Sequence, residues 1–125
     1  MENDGFENEL ATCYISDGIL IYRYREGAVI NLRNAIRIVA ERLELQDGRS
    51  LAVFCDISGI ADSDKAGRDY LAQYGSVLTK AVALYTESHL LQIMTCFYLR
   101  VSKPQVPTMI FTDERQARLF LSRYI

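Results

Sequence analysis

The chain has 125 residues, of which half are hydrophobic and about a quarter are charged, and its net charge at pH 7 is -2. This length fits one domain with a single core, and the small net charge gives no support for a nucleic-acid-binding surface. No apolar run approaches the roughly 20 residues of a membrane span, and the acidic start of the chain lacks the features of a signal peptide. We therefore expect a cytoplasmic protein with no membrane span and no nucleic-acid partner.

The first residues of the chain predict a mobile segment followed by a β-hairpin. Residues 1–9 contain few apolar side chains, so we expect them to be flexible unless Phe6 packs against the domain. A single domain would then occupy residues 10–125. Within it, two β-rich stretches flank Asp17-Gly18, a dipeptide that favours the tight turn of a hairpin.

The next element is predicted to be a helix that begins after Asn31 and ends near Leu45. Asn31 suits the N-cap position, where its side chain can accept a hydrogen bond from a free backbone N–H group. Apolar residues at helical spacing define the expected inner face, and the basic residues are expected on the solvated outer face. The basic residues in question are Arg33, Arg37 and Arg42.

The apolar run Leu51–Cys55 ends at Asp56 and predicts a strand buried on both faces. A polar loop follows, and Asp62 or Ser63 is expected to cap a helix that ends at Gly75. Ligands and partners of open α/β sheets usually bind beyond the carboxyl ends of the strands, so this loop is the candidate partner-binding surface. Its polar residues are Asp56, Ser58, Asp62, Ser63, Asp64, Lys65 and Arg68.

After a strand near residues 80–85, the segment 87–102 predicts a helix that is apolar around most of its circumference. Its expected inner stripe consists of Leu90, Met94, Phe97 and Val101. Further apolar residues would then form a candidate surface for oligomerisation or for an apolar ligand, namely Leu91, Ile93, Tyr98 and Leu99. We favour a subunit interface, while a bound ligand or a cover formed by the rest of the chain are the alternatives.

The remainder predicts a strand at residues 108–111 and a last helix capped by Thr112. The complete order indicates an α/β domain with one mixed β-sheet of about five strands. An N-terminal hairpin begins this sheet, and about four helices flank it.

This order and two short motifs resemble the STAS domains of anti-sigma-factor antagonists and the SpoIIAA-like (STAS/SEC14) group. The first motif is Asp56-Ile57-Ser58-Gly59-Ile60, and the second is Asp64-Lys65-Ala66-Gly67. The resemblance implies a SpoIIAA-like fold and a bacterial regulatory domain that binds proteins at this loop. In the antagonists a serine at the helix start is phosphorylated. Ala66 occupies that position here, so the resemblance does not extend to the phosphorylation switch.

Catalytic and metal-binding patterns receive little support from the sequence. The three cysteines, Cys13, Cys55 and Cys96, are widely spaced among apolar residues and are expected to be small buried side chains, and His89 is the only histidine. We expect no catalytic residue, metal site or cofactor. The resulting hypothesis is a non-enzymatic protein-interaction domain, homo-oligomeric through the apolar helix, with an unknown protein partner. The alternative is a carrier of an apolar small molecule or lipid, which the resemblance to the STAS/SEC14 group also suggests.

Overall fold

Strands and helices alternate along most of residues 5–125, which are the residues that the computed structural model describes. The strands are β1 (Gly5–Glu7), β2 (Ala11–Ser16), β3 (Ile19–Tyr24), β4 (Ala28–Ile30), β5 (Leu51–Asp56), β6 (Ile60–Ser63), β7 (Thr79–Tyr85) and β8 (Thr108–Phe111). The helices are α1 (Leu32–Gln46), α2 (Lys65–Tyr74), α3 (His89–Ser102) and α4 (Glu114–Leu121), followed by a 3-10 turn at Ser122–Tyr124.

Six strands form one mixed sheet in the order β1-β2-β3-β5-β7-β8, which is also their order along the chain. β2 pairs antiparallel with β1 and with β3, whereas β3, β5, β7 and β8 run parallel to one another. The predicted strand after residue 50 is therefore paired along both of its edges. The predicted α/β class, mixed sheet and four helices are confirmed.

The N-terminal hairpin is formed by β2 and β3, as the sequence predicts. Asp17 and Gly18 connect the strands, with Ser16 opposite Ile19. Their φ angles are 55° and 80°, and the tight hairpin turn requires positive φ at both central residues. Glycine and aspartate tolerate this conformation better than β-branched residues do, which explains why this dipeptide marks the turn.

In the segment expected to be flexible unless Phe6 packs against the domain, residues 5–7 form β1. Phe6 lies opposite Cys13 of β2 and packs against the core. Asn8 donates a hydrogen bond of 2.9 Å to Glu41 on α1. A hydrogen bond from Arg37 lowers the pKa of Glu9 to about 2. Residues 1–4 of the predicted segment lie outside the described residues.

Two short strands, β4 and β6, form a separate parallel sheet that the sequence did not predict. Gly27 N–H donates to the carbonyl oxygen of Gly59 at 2.9 Å, which brings the loop after β5 against the chain that follows β3. A Cβ atom on Gly59 would lie 2.4 Å from the carbonyl oxygen of Arg25, so a larger residue does not fit there. This packing directs the loop from the end of β5 toward α2.

The main sheet separates two apolar cores. On one face, Leu20 and Val53 pack with α1 residues such as Ala35, while side chains of α2 cover the margin. On the other face, Phe54 packs with Ala83 and with Ala117 and Leu121 of α4. Neighbouring residues of one strand point to opposite faces, so the apolar residues 51–55 of β5 supply both cores.

Candidate functional site

A group of polar side chains lies at the carboxyl ends of the parallel strands. Arg23 lies near the end of β3, Asp56 ends β5, Thr86 follows β7, and Glu114 begins α4 after β8. Ser58, in the loop after β5, completes the group. We call these five residues the carboxyl-edge cluster. Parallel strands bring their carboxyl ends to one edge of the sheet, which is why residues so distant in sequence meet here.

Arg23 is the centre of the charged part of this cluster. Its guanidinium lies 3.1 Å from Asp56 Oδ2 and 3.3 Å from Glu114 Oε2. Partial burial acts to lower the pKa of Arg23, but a hydrogen bond with Tyr14, the charge of Glu114 and a hydrogen bond with Asp56 outweigh it and raise that pKa. Arg23 is therefore a permanent cation held between two carboxylates.

Hydroxyl groups form the second part of the cluster. Ser58 and Thr86 are hydrogen-bonded through Oγ and Oγ1 at 3.1 Å, and Thr86 Oγ1 also accepts from Ser88 N–H at 3.1 Å. Thr86 is fully buried, whereas the backbone of Ser58 is held by Asp56 Oδ1 at 3.0 Å. Ser58 contacts a threonine hydroxyl and not a base, so this pair lacks the contact that activates a serine nucleophile.

The remaining predicted site residues form a separate group around the start of α2. Asp64 caps the helix by accepting from Gly67 N–H at 2.8 Å, so the predicted caps Asp62 and Ser63 are wrong. Ser63 instead accepts from Arg68 through both its carbonyl and its hydroxyl oxygen at 2.9 Å. Lys65 is exposed and pairs with Asp69 at 2.6 Å.

The predicted polar surface contains two hydrogen-bonded groups. Among the recorded hydrogen bonds and ion pairs of residues 5–125, none joins Asp56 or Ser58 to the group at the start of α2. Within the same residues, no three side chains of His, Cys, Asp or Glu are placed to hold a metal ion together. The only histidine, His89, is exposed at the first position of α3.

The orientation of α3 differs from the prediction by about half a turn. Of the four residues expected on its outer surface, only Ile93 is more than half exposed, while Leu91, Tyr98 and Leu99 are partly buried. The hydroxyl of Tyr98 donates to the carbonyl oxygen of Arg68 at 3.3 Å, which turns this side of the helix toward α2. The stripe expected to face inward is consequently exposed.

This exposed stripe forms a continuous apolar surface. It consists of Leu90, Ile93, Met94, Phe97 and Val101, which are 55–68% exposed, and we call it the α3 apolar face. None of the fourteen residues of α3 is buried, in contrast to α1, α2 and α4. Contiguous apolar surface of this kind is typical of interaction sites, whereas single exposed apolar residues are ordinary.

None of the four helices described in residues 5–125 combines the length and the apolar character that a membrane span needs. The apolar residues of α3 are confined to a helix of fourteen residues, which is shorter than a bilayer is thick.

Sequence reasoning missed Arg23, Thr86 and Glu114. Each lies at or just after the end of a strand, so the rule that parallel strands end at one edge could have found them once the strand order was known. Arg23 is a charged residue on a largely apolar strand, and its two carboxylate partners are 33 and 91 residues away. The sequence alone gives no signal that pairs them.

The cysteines are not equivalent, since Cys13 is buried in the core, Cys55 is half-buried against it and Cys96 is exposed. The expectation of three buried cysteines is therefore wrong for Cys96. Burial raises the pKa of both Cys13 and Cys55 to about 12, which leaves almost no reactive thiolate near pH 8. We expect a disulfide reagent at pH 8 to label Cys96 quickly and the other two only after unfolding in urea.

The control for this labelling is the variant Cys96→Ser, which we expect to show no fast reaction in the folded state. Mass spectrometry of peptides identifies the labelled residue. Fast labelling of Cys13 or Cys55 in the folded protein would contradict the buried placement of these thiols.

Comparison with known proteins agrees with this architecture. The profile of a family described as a domain of unknown function (DUF7793) matches residues 13–125. A similar solved structure is that of an uncharacterized DUF3478-family protein with a SpoIIAA-like fold from Shewanella loihica PV-4. The two sequences are 14% identical, the TM-score is 0.64, and the match covers 94% of this chain and 99% of the other. No curated protein gives a significant match. The likeness confirms the predicted SpoIIAA-like fold, but it assigns neither membership of the STAS family nor a function.

Proposed function

The chain belongs to the DUF7793 family and has a SpoIIAA-like fold, and from this premise we propose that it is a non-enzymatic protein-interaction domain. The observation that carries the proposal is the α3 apolar face. Each of its five side chains is more than half exposed. The residues by which α3 contacts its own domain are only partly buried. Covering such a surface with another polypeptide removes apolar area from water, which is the main favourable term in protein association.

The state of the carboxyl-edge cluster supports a non-enzymatic role. Arg23 is engaged by two carboxylates, and Ser58 is engaged by Thr86. Active sites commonly combine a nucleophile, a base and an orienting group within hydrogen-bond reach, and this cluster has a different composition. We assign it the structural role of tying α4 to the ends of β3 and β5.

The same apolar face would also suit a lipid or another apolar small molecule, which is the alternative function. A cleft of about 330 Å³ lies between α2 and the end of α3, but Asp69, Gln73 and Lys103 line it beside Val101. Pockets for apolar ligands are lined mainly by hydrophobic and aromatic side chains. This polar lining favours a protein partner over an acyl chain.

We place a second, polar contact surface at the start of α2, where Lys65 is the most accessible member. Its side chain is 82% exposed and its partner Asp69 is 57% exposed, so a carboxylate on another protein can compete for the ammonium group. Arg68 is a weaker candidate, because its guanidinium already binds two oxygen atoms of Ser63.

Site-specific photo-cross-linking in host cells tests both surfaces. A benzophenone amino acid is placed at position 97, at position 65 or at position 119, the last being an equally exposed leucine on α4. We expect position 97 to form a protein adduct well above the yield at position 119. An adduct with the mass of a lipid at position 97 would favour the carrier, and yields equal to the control would contradict the proposed function. Likewise, equal cross-linking yields at positions 65 and 119 would contradict the proposed polar contact surface.

A further inference from the structure

The spacing of the α3 apolar face is that of a coiled-coil seam. Leu90, Met94, Phe97 and Val101 are separated by four, three and four residues, and Ile93 lies on the same side one turn before Phe97. This alternation of four and three is the heptad pattern by which one helix packs its side chains between those of another helix. A seam with this pattern can pack against a copy of itself.

We infer that the occupant of the α3 apolar face is α3 of a second copy of this chain, packed antiparallel about a twofold axis between Met94 and Phe97. The inference rests on the proposed function and names its partner. In this arrangement Leu90 of one copy lies beside Val101 of the other, and Met94 lies beside Phe97. A twofold interface uses the same patch on both subunits, which a single self-complementary seam provides.

The charges at the ends of α3 favour the antiparallel direction. Glu87 precedes the helix, whereas Arg100 lies in its last turn and Lys103 forms its C-terminal cap, and all three residues are exposed. Antiparallel packing brings the acidic end of each helix to the basic end of the other. It also places the opposite ends of the two helix dipoles side by side. Parallel packing would instead bring like charges together at both ends.

The area of the α3 apolar face is sufficient for a dimer. From their exposed fractions the five side chains present roughly 600 Å² per copy, so covering them completely in both copies would bury about 1,200 Å², which is the lower limit of specific interfaces. Phe97, the largest of these side chains, lies next to the twofold axis. Large aromatic residues near the centre of an interface commonly carry much of the binding energy.

Sedimentation equilibrium of the purified full chain tests the pairing. We expect a dimer for the wild type. The variant Phe97→Asp should weaken self-association by roughly 30-fold or more, because a charge at the centre of the seam would have to be desolvated. The matched control Leu119→Asp, at a similarly exposed leucine on α4, should leave the dimer intact. Circular dichroism establishes that both variants are folded. A monomeric wild type, or a Phe97→Asp variant that associates as tightly as the wild type, would overturn the inference.

Disulfide mapping tests the direction independently of any effect on folding. In the Cys96→Ser background, Leu90→Cys and Val101→Cys are prepared as two separate proteins. Antiparallel packing predicts that neither cross-links alone under mild oxidation, whereas the mixture forms a cross-linked heterodimer. Cross-linking of each protein with itself would indicate parallel packing. The absence of a cross-link in every sample would contradict the proposed pairing of the two α3 helices.

These results are distinguishable from failure of the proposed function. If the wild type is monomeric while position 97 photo-cross-links to a different protein, the interaction role stands and self-pairing is wrong. If position 97 forms no adduct and the wild type is monomeric, both are wrong.

Discussion

Replacing Phe54 by alanine is expected to lower the free energy of unfolding by about 3–5 kcal/mol, the usual cost of removing a buried aromatic side chain. Phe54 is fully buried at the centre of the sheet and stacks on Tyr85 with 5.7 Å between ring centroids. The guanidinium carbons of Arg23 and Arg118 lie 5.1 and 5.5 Å from the centre of its ring. The substitution therefore creates a cavity and removes two cation–π contacts at once.

Urea denaturation measures this loss, and two further variants separate its causes. Phe54→Leu retains most of the volume but loses the ring, so we expect a loss of about 1–2 kcal/mol. Leu119→Ala removes an apolar side chain that is 64% exposed, and we expect a change within about 0.5 kcal/mol. If Phe54→Ala cost no more than Leu119→Ala, Phe54 would not be the central packing residue of this core.

The substitution Gly67→Ala is expected to destabilise the protein by about 2–3 kcal/mol, although alanine ordinarily favours a helix over glycine by about 1 kcal/mol. Gly67 lies in the first turn of α2. A Cβ atom there would lie 2.5 Å from the carbonyl oxygen of Ile30 and 2.9 Å from the carbonyl carbon of Asn31. Both atoms belong to the backbone, so the helix itself would have to move. The same oxygen of Ile30 accepts a 3.0 Å hydrogen bond from Asp64 N–H, which that movement would strain.

The neighbouring residue supplies a matched control for this prediction. Ala66 is exposed in the same turn, and Ala66→Gly should cost about 1 kcal/mol from helix propensity alone. Thermal or urea unfolding of both variants compares the two effects. A neutral or stabilising Gly67→Ala would contradict the close approach of α2 to β4. The glycine of the second motif, Asp64-Lys65-Ala66-Gly67, is thus explained by packing.

The fold was predictable because its strongest signals are local. Asp17-Gly18 identifies the hairpin, Asn31 caps α1 by accepting from Asn34 N–H, and the apolar run of β5 identifies a strand covered on both faces. The prediction misses the pairings that involve very short strands, such as β1 with β2 and β4 with β6. A strand of three or four residues is too short to show an alternating hydrophobic pattern in the sequence. Such a strand forms because the edge of a neighbouring strand is available for hydrogen bonding.

The inner faces of two helices could not be predicted from periodicity. Arg42 was expected on the solvated face of α1, but it is buried and donates to the carbonyl oxygen of Gly75 at 3.2 Å. Its neighbour Gln46 donates to the carbonyl oxygens of Arg49 and Leu78, both at 2.8 Å. These two polar side chains are buried because they donate hydrogen bonds to loop carbonyl groups, which would otherwise lie in the interior without a partner. Helix α3 has two apolar faces, and either could have packed against the domain. Its contact with α2 determines which of the two faces inward.

The position of Asp56 and Ser58 in the fold was predictable, but the residues that contact them were not. Asp56 and Ser58 do lie at the carboxyl edge of the sheet, as expected for a residue that ends a buried parallel strand. Their partners Arg23 and Thr86 come from the strands on either side, and pairing them requires the strand order. The residues at the start of α2 were assigned to the same surface because they are close in sequence, and in the structure they form hydrogen bonds among themselves.

The order of strands in the main sheet bears on how the protein is made. From β1 to β8, each strand lies beside the one synthesised before it, so no later strand has to insert between two strands already paired. On the ribosome the later strands can therefore add one after another on the β3 side of the sheet, once the local β2–β3 hairpin has formed. Until β8 has emerged, the seven-residue strand β7 is the open edge on this side and can pair with other nascent chains. Once β8 has paired with β7, the open edge is a strand of only four residues, and a chain that stops before residue 108 would expose β7 to aggregation instead.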